Sequence, residues 1–144
     1  MHVQSSVIVN RPIDEAFGYV ADFRNDPAWR AEVRELRLVS GEVAVGTHAI
    51  ETSVLWGRRV VTETVITALE PNRLIAFDYV SGPFRVQGRR TCEPVDGGTR
   101  VTVELEWHPT SRVARVLQPA MAGVYQRTIE RYVAHLGTIL DEGR

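Results

Sequence analysis

The chain has 144 residues, 44% hydrophobic and 24% charged, an ordinary globular composition at a length that suits one domain. Its 17 basic and 18 acidic residues leave a formal charge of −1, so the strongly basic footprint of a nucleic-acid-binding protein is absent. All the basic residues are arginine and none is lysine, which excludes Schiff-base and catalytic-lysine chemistry and a Walker-type phosphate loop.

Val3, Ser5, Val7 and Val9 alternate with Gln4, Ser6, Ile8 and Asn10. This predicts an opening strand, and the segment lacks the long apolar core of a signal peptide. Pro12 suits a first helical position, Asp14 and Glu15 suit the first turn, and Ile13, Ala16, Phe17 and Val20 recur at helical spacing. A short amphipathic helix is expected to about Asp22. Asn25-Asp26-Pro27 breaks it, and Pro27–Arg30 reads as one further helical turn.

From Val33 to Trp107 the period changes to two, with turn signals at Gly41, around Gly57, and at Glu70-Pro71-Asn72, Ser81-Gly82-Pro83 and Asp96-Gly97-Gly98. Six strands follow, seven with the first, spaced too closely for crossover helices and therefore antiparallel. After Pro109 a stripe of Val113, Leu117, Met121, Val124, Thr128, Tyr132, Leu136 and Ile139 predicts a long C-terminal helix. Pro119 either kinks that helix or marks the start of its main segment. No apolar run approaches the roughly 20 residues that cross a bilayer, and the single Cys92 cannot form an internal disulfide. The expectation is a soluble, cytoplasmic protein with no stable membrane insertion and no nucleic-acid partner.

The last hairpin specifies a register. A two-residue type I′ turn at Asp96-Gly97 sets Glu93 opposite Arg100, Thr91 opposite Thr102 and Arg89 opposite Glu104 on one face. The other face then carries Val86, Gly88, Arg90, Cys92, Val101, Val103, Leu105 and Trp107, apolar apart from Arg90. A similar argument around Gly57-Arg58 pairs Val54 with Val61 and Ile50 with Val65. It sets Thr52 opposite Glu63 and aims His48 and Trp56 to the same side, taken as the inner face. Val60 and Ile66 make the opposite face nearly as apolar.

This element order is that of an α+β helix-grip fold: a seven-stranded curved antiparallel sheet wrapped on a long C-terminal helix, with two short helices after the first strand. Arg11-Pro12-Ile13-Asp14-Glu15-Ala16-Phe17 with Tyr19-Val20-Ala21-Asp22-Phe23 resembles the first helix of the START-like SRPBCC superfamily, in its polyketide cyclase/dehydrase-like branch. Asp26-Pro27-Ala28-Trp29, Leu69 through Phe77, Ser81-Gly82-Pro83-Phe84, Cys92 through Val101 and Leu136-Gly137-Thr138-Ile139-Leu140 continue the match over nearly the whole chain. Members of the superfamily include lipid carriers, plant hormone-binding proteins, aromatase/cyclases and chaperone activators. The resemblance implies a hydrophobic cavity between the sheet and the long helix and little more; no cofactor is expected.

His2, His48, His108 and His135 are dispersed, so no metal site is expected. Cys92 reads as a small buried hydrophobe, and Gly41 to Thr47 as a turn. Arg90 stands out, because an unpaired guanidinium on an apolar face is costly. Either it extends to water at the cavity rim, or it is buried and meets a carboxylate, phenolate or enolate of a ligand, with Glu63 as its counter-ion in the empty state. Trp29, Trp56, Trp107, Met121, Tyr125 and Tyr132 are the aromatic and thioether lining or core. The ligand-binding set is therefore Arg90, Glu63, His48, Trp107, Met121 and Tyr125. The expected function is binding of a hydrophobic or polycyclic small molecule. The alternatives are a polyketide cyclase/aromatase-like or dehydratase enzyme, using Arg90, Glu63, His48 and Tyr125, and a protein-interaction module without a small ligand. A homodimer is compatible with any of these.

Overall fold

The computed structural model describes residues 1–55 and 57–142. Strand β1 (His2–Val9) leads into helix α1 (Ile13–Ala21), a 3-10 turn (Phe23–Asn25) and the single-turn helix α2 (Asp26–Trp29). Six strands follow: β2 (Val33–Leu38), β3 (His48–Leu55), β4 (Arg58–Glu70), β5 (Leu74–Ser81), β6 (Phe84–Val95) and β7 (Gly98–Pro109). Helix α3 (Arg112–Glu142) closes the chain and continues through Pro119. No helix among the described residues is long and apolar enough to cross a membrane.

The strands form one antiparallel sheet in the order β1-β7-β6-β5-β4-β3-β2. Strands β2 to β7 are a meander, whereas β1 sits outside β7 at the far edge. The chain must therefore cross the width of the sheet between β1 and β2, and α1, the 3-10 turn and α2 make that crossing. On the way α1 packs on β6 and β7, and the 3-10 turn and α2 pack on β2. Helix α3 lies along β1 and β7 and touches α2. The result is the helix-grip architecture expected from the element order.

In β6 and β7 the alternation is complete. Phe84, Val86, Gly88, Arg90, Cys92, Val101, Val103, Leu105 and Trp107 are buried on the inner face, and the residues between them face out. Glu93 faces Arg100, Thr91 faces Thr102 and Arg89 faces Glu104, so the register is as expected. Arg100 pairs with Glu93, and Arg89 with Glu104 at 3.0 Å. The turn itself differs from type I′. Gly97 is left-handed (φ 85°) but Asp96 is not, and the strand resumes through Gly98 (φ 157°). A Cβ on Gly98 would collide with the Val9 carbonyl, so glycine lets the hairpin end seat against β1.

The buried stripe of α3 is rotated from the expected one. Ala114, Ile129, Tyr132, Val133, Leu136 and Leu140 are buried and Met121 and Tyr125 half-buried, while Val113, Leu117 and Val124 face solvent. At Gly137 an added Cβ would come within 2.8 Å of Val7, so that glycine permits the close approach of α3 to β1. Leu136 and Leu140 are thereby driven into the core formed with Val3, Val9 and Val101.

Candidate interior binding site

The inner face of the sheet has two unlike halves. Across β6 and β7 it is fully buried. Across β3 to β5 its row runs Ala49, Glu51, Ser53, Leu55, then Val60, Thr62, Thr64, Ile66, then Phe77, Tyr79, Ser81, and only part of this row is covered. Glu51, Thr62, Tyr79 and Ser81 are half-buried, and Leu55 and Val60 are exposed. Because α3 lies toward β1 and β7, water reaches the inner face of β3–β5. The half-buried Met121 and Tyr125 of α3 belong to the same interior, Tyr125 stacking at a tilt on Trp107 with ring centroids 4.2 Å apart.

A chain of ion pairs runs through this interior. Arg90 donates from its two terminal nitrogens to the two oxygens of Asp26 at 2.9 and 2.7 Å, and also to the Val20 carbonyl at 3.0 Å. Asp26 Oδ2 accepts a second bond from Arg30 Nη1 at 3.0 Å. The same nitrogen donates to Glu51 Oε1 at 2.6 Å, and Glu51 Oε2 accepts from Ser53 Oγ at 2.9 Å. Asp26 and Arg90 are almost inaccessible, at 1% and 4%, whereas the side chains of Arg30 and Glu51 remain 22% and 15% exposed. The series thus begins in the core and ends on the accessible half of the inner face.

Arg90 also lies between three rings: its guanidinium carbon is 4.4 Å from the centroid of Phe23, 4.8 Å from Trp29 and 5.5 Å from Phe77. Such cation–π contacts add to a bidentate pair, which matters because desolvating two charges costs several kcal/mol per ion, about as much as their attraction returns. Gly88 makes this packing feasible, since a Cβ there would overlap the Phe77 ring. Arg90 Nε and the indole nitrogens of Trp29 and Trp107 are buried without a partner among the described residues.

Tyrosines ring the outer end of the series. Burial raises the pKa of Tyr79, with Glu51, Tyr125 and Tyr132 adding to the effect against the opposing Arg30. Tyr125 is raised by burial alone. Tyr132 is raised by burial and by its hydrogen bond to Glu32, which Arg131 also engages at 2.6 Å. All three are therefore neutral hydroxyl groups at physiological pH. Burial alone would lower the Arg30 pKa, but Glu51 and Asp26 reverse that and raise it, so Arg30 stays charged.

The expected site residues divide between the two faces. Arg90, Trp107, Met121 and Tyr125 are interior, as the register of β6 and β7 requires. Arg90 is buried, not at a rim, and its counter-ion is Asp26 instead of Glu63. His48 and Glu63 are corrected to the outer face, where they bond each other at 2.6 Å and both are exposed. The β3–β4 register is displaced by two positions, with Ile50 and not Thr52 opposite Glu63. That slip keeps each residue on its face; the difference lies in which face is inner. The inner row carries Glu51, which reads as a solvent residue until Arg30 is seen to neutralise it. Trp56 lies outside the described residues. Trp29 and Tyr132 are buried and meet edge to face at 6.5 Å. Cys92 is buried, its thiol pushed up to about 12 by desolvation, and it behaves as a small hydrophobe.

Asp26, Arg30, Glu51, Ser53 and Tyr79 are site residues that the sequence pattern does not single out. Asp26 reads there only as a helix breaker, and nothing local in Glu51-Thr52-Ser53 announces a buried carboxylate. The outer-face residues His48, Glu63, Asp78, Arg85, Gln87 and His108 line an open trough of about 810 Å³. Tyr79 also borders it, but Trp107, Met121 and Tyr125 do not.

A family model described as polyketide cyclase / dehydrase and lipid transport matches residues 1–137. The fold is similar to a START superfamily protein from Mycobacterium smegmatis (TM-score 0.81, 17% identity, 99% of each chain). It is similar also to a protein from Thermus thermophilus (TM-score 0.80, 19% identity, 99% of each chain). A di-domain ARO/CYC protein of the BE-7585A biosynthetic pathway matches with a TM-score of 0.75 at 17% identity, over 96% of this chain and 45% of that one. No curated protein matches by sequence.

Proposed function

Because the chain belongs to the START-like polyketide cyclase / dehydrase and lipid transport family, we propose that it binds a hydrophobic or polycyclic small molecule. The cavity lies between the inner face of β3–β5 and α3. In this reading it acts as one soluble cytoplasmic domain, without nucleic acid or stable membrane insertion. The observation that carries the proposal is the contrast within one sheet: an inner face sealed over β6–β7 and water-accessible over β3–β5, where Tyr79 lies among Arg30, Glu51 and Tyr125. Flat aromatic groups with a few fixed polar partners suit a ring-shaped guest.

A carrier fits better than a cyclase or dehydratase. Acid–base catalysis favours groups that titrate near the working pH. Here the tyrosines are held neutral, Arg30 is held charged, and Cys92 is raised to about 12. Arg30 and the hydroxyls of Tyr79 and Tyr125 orient a ligand by hydrogen bonding. A protein-interaction role is favoured by one observation, the exposed Val113, Val116 and Leu117 on the first turns of α3.

Native mass spectrometry of freshly purified protein, followed by titration with the neutral dye N-phenyl-1-naphthylamine, separates these readings. A co-purifying small molecule, or saturable dye binding that Thr62→Trp abolishes by filling the interior, is expected. Ligand-free protein that binds no dye overturns the carrier.

A further inference from the structure

We infer that the Arg30–Glu51 pair sets the charge of the guest, selecting a neutral, oxygen-bearing aromatic molecule over an organic anion. This rests on the interior being a binding site. Of the groups in the series, Arg90 and Arg30 contribute two positive charges, and Asp26 and Glu51 two negative ones. The series is closed: each guanidinium meets at least one carboxylate, and Asp26 is shared between the two. Arg90, the residue most suggestive of an anion site, has both terminal nitrogens occupied and is sealed beneath three rings.

What a guest meets is the outer end. Arg30 uses Nη1 for Asp26 and Glu51, and Nη2 makes only a long contact of 3.4 Å to Glu51. Its Nε–H and a second Nη2 N–H have no acceptor among the described residues, and the same is true of the Tyr79 and Tyr125 hydroxyl hydrogens. These are donors for carbonyl, ether or hydroxyl oxygen. An anion there faces the partly buried Glu51 carboxylate, and like charges at a partly desolvated position repel. At the free N–H groups of Arg30 its charge still lies beside the Glu51 carboxylate, whereas a neutral oxygen accepts the same bonds without that repulsion. Selectivity thus comes from the repulsive element as much as from the attractive one.

Two dyes with one ring skeleton isolate the charge: neutral N-phenyl-1-naphthylamine and 8-anilinonaphthalene-1-sulfonate. The change in their affinity ratio between proteins cancels their different hydrophobicity. In Glu51→Gln the uncovered Arg30 is expected to raise sulfonate affinity about tenfold while the neutral dye stays within about threefold. In Arg30→Gln the uncovered Glu51 is expected to raise affinity for the cationic dye thioflavin T by about tenfold. The two variants leave opposite charges, so either one carries the test if the other does not fold, as thermal melting reports. Wild-type protein that binds neither naphthylamine dye overturns the cavity reading together with this inference. Wild-type protein that binds the neutral dye, with charge preference unmoved in the folded variant, overturns the inference alone.

Discussion

Asp26 and Arg90 are joined by two hydrogen bonds of 2.9 and 2.7 Å across 64 residues of sequence, at a place where neither side chain meets solvent. The pair ties the start of α2 to the middle of β6, so the segment that crosses beneath the sheet is pinned where the interior begins. Asp26 carries more than this one bond, because Arg30 also leans on it at 3.0 Å.

Removing Asp26 should therefore cost more than removing Arg90. Asp26→Asn leaves two guanidiniums without their shared anion, and a loss of about 3–5 kcal/mol is expected for breaking such a buried pair. Arg90→Met leaves Asp26 with Arg30 and retains aliphatic packing against Phe23 and Trp29. Urea unfolding of both variants checks the order, and a smaller loss for Asp26→Asn would contradict the shared role assigned to this carboxylate.

Glycine positions give a graded series. Gly98→Ala should be the most disruptive, since its Cβ would meet the Val9 backbone, which cannot swing aside. Gly88→Ala presses on the side chains of Phe77 and Leu105 and should cost about 1–3 kcal/mol, typical of overpacking. Gly123→Ala on α3 has nothing nearer than Arg127 Nη2 at 3.7 Å, and should stabilise by up to about 1 kcal/mol through helix propensity. Equal melting temperatures across the three would be inconsistent with this packing.

The rotation of α3 is testable by truncation. Leu136 is fully buried, and Leu136→Ala should cost about 2–5 kcal/mol. Leu117 is 48% exposed, and Leu117→Ala should change stability by less than about 0.5 kcal/mol. Similar losses at both positions would restore the stripe that the sequence pattern implies.

Alkaline pH should weaken the fold. The Cys92 thiol, ordinarily at 9.0, is pushed up to about 12 by burial, and Tyr79, Tyr125 and Tyr132 are also raised. A raised pKa means the native state holds protons that the unfolded chain has released. The associated stability is complete below the ordinary values and falls as pH climbs through the native ones. The urea midpoint should accordingly drop between about pH 9 and about pH 12, less steeply in Cys92→Ala. At about pH 8 a thiol reagent should label native Cys92 at least about a hundredfold more slowly than the unfolded chain, because little thiolate exists. Rapid native labelling would show that Cys92 is not desolvated.

Much of the fold is legible in the sequence because its signals are local. Period-two alternation through β6 and β7, with glycine at the turn, fixes the pairing of Arg89 with Glu104 and of Glu93 with Arg100. It also places Arg90 inside. The site is less legible. In β3 and β4 both faces carry comparable apolar content, so the pattern does not distinguish His48 and Glu63 from Glu51 and Ser53. Along α3 the small or polar residues Ala114, Gln118 and Ala122 lie on the inward side while valines lie outside, which misleads a count of hydrophobic residues.

The sequence by itself determined the order of elements, the antiparallel meander, the inward face of the last hairpin, and the presence of one arginine that had to be reconciled with an apolar surrounding. Only the tertiary structure decided how. Whether a buried charge is a site or a strut depends on the charge that meets it. That partner, Asp26, comes from a helix turn at the opposite edge of the fold's first crossing, and it brings Arg30 and Glu51 with it. Alternation is a property of neighbours in the chain, whereas neutralisation is a property of neighbours in space.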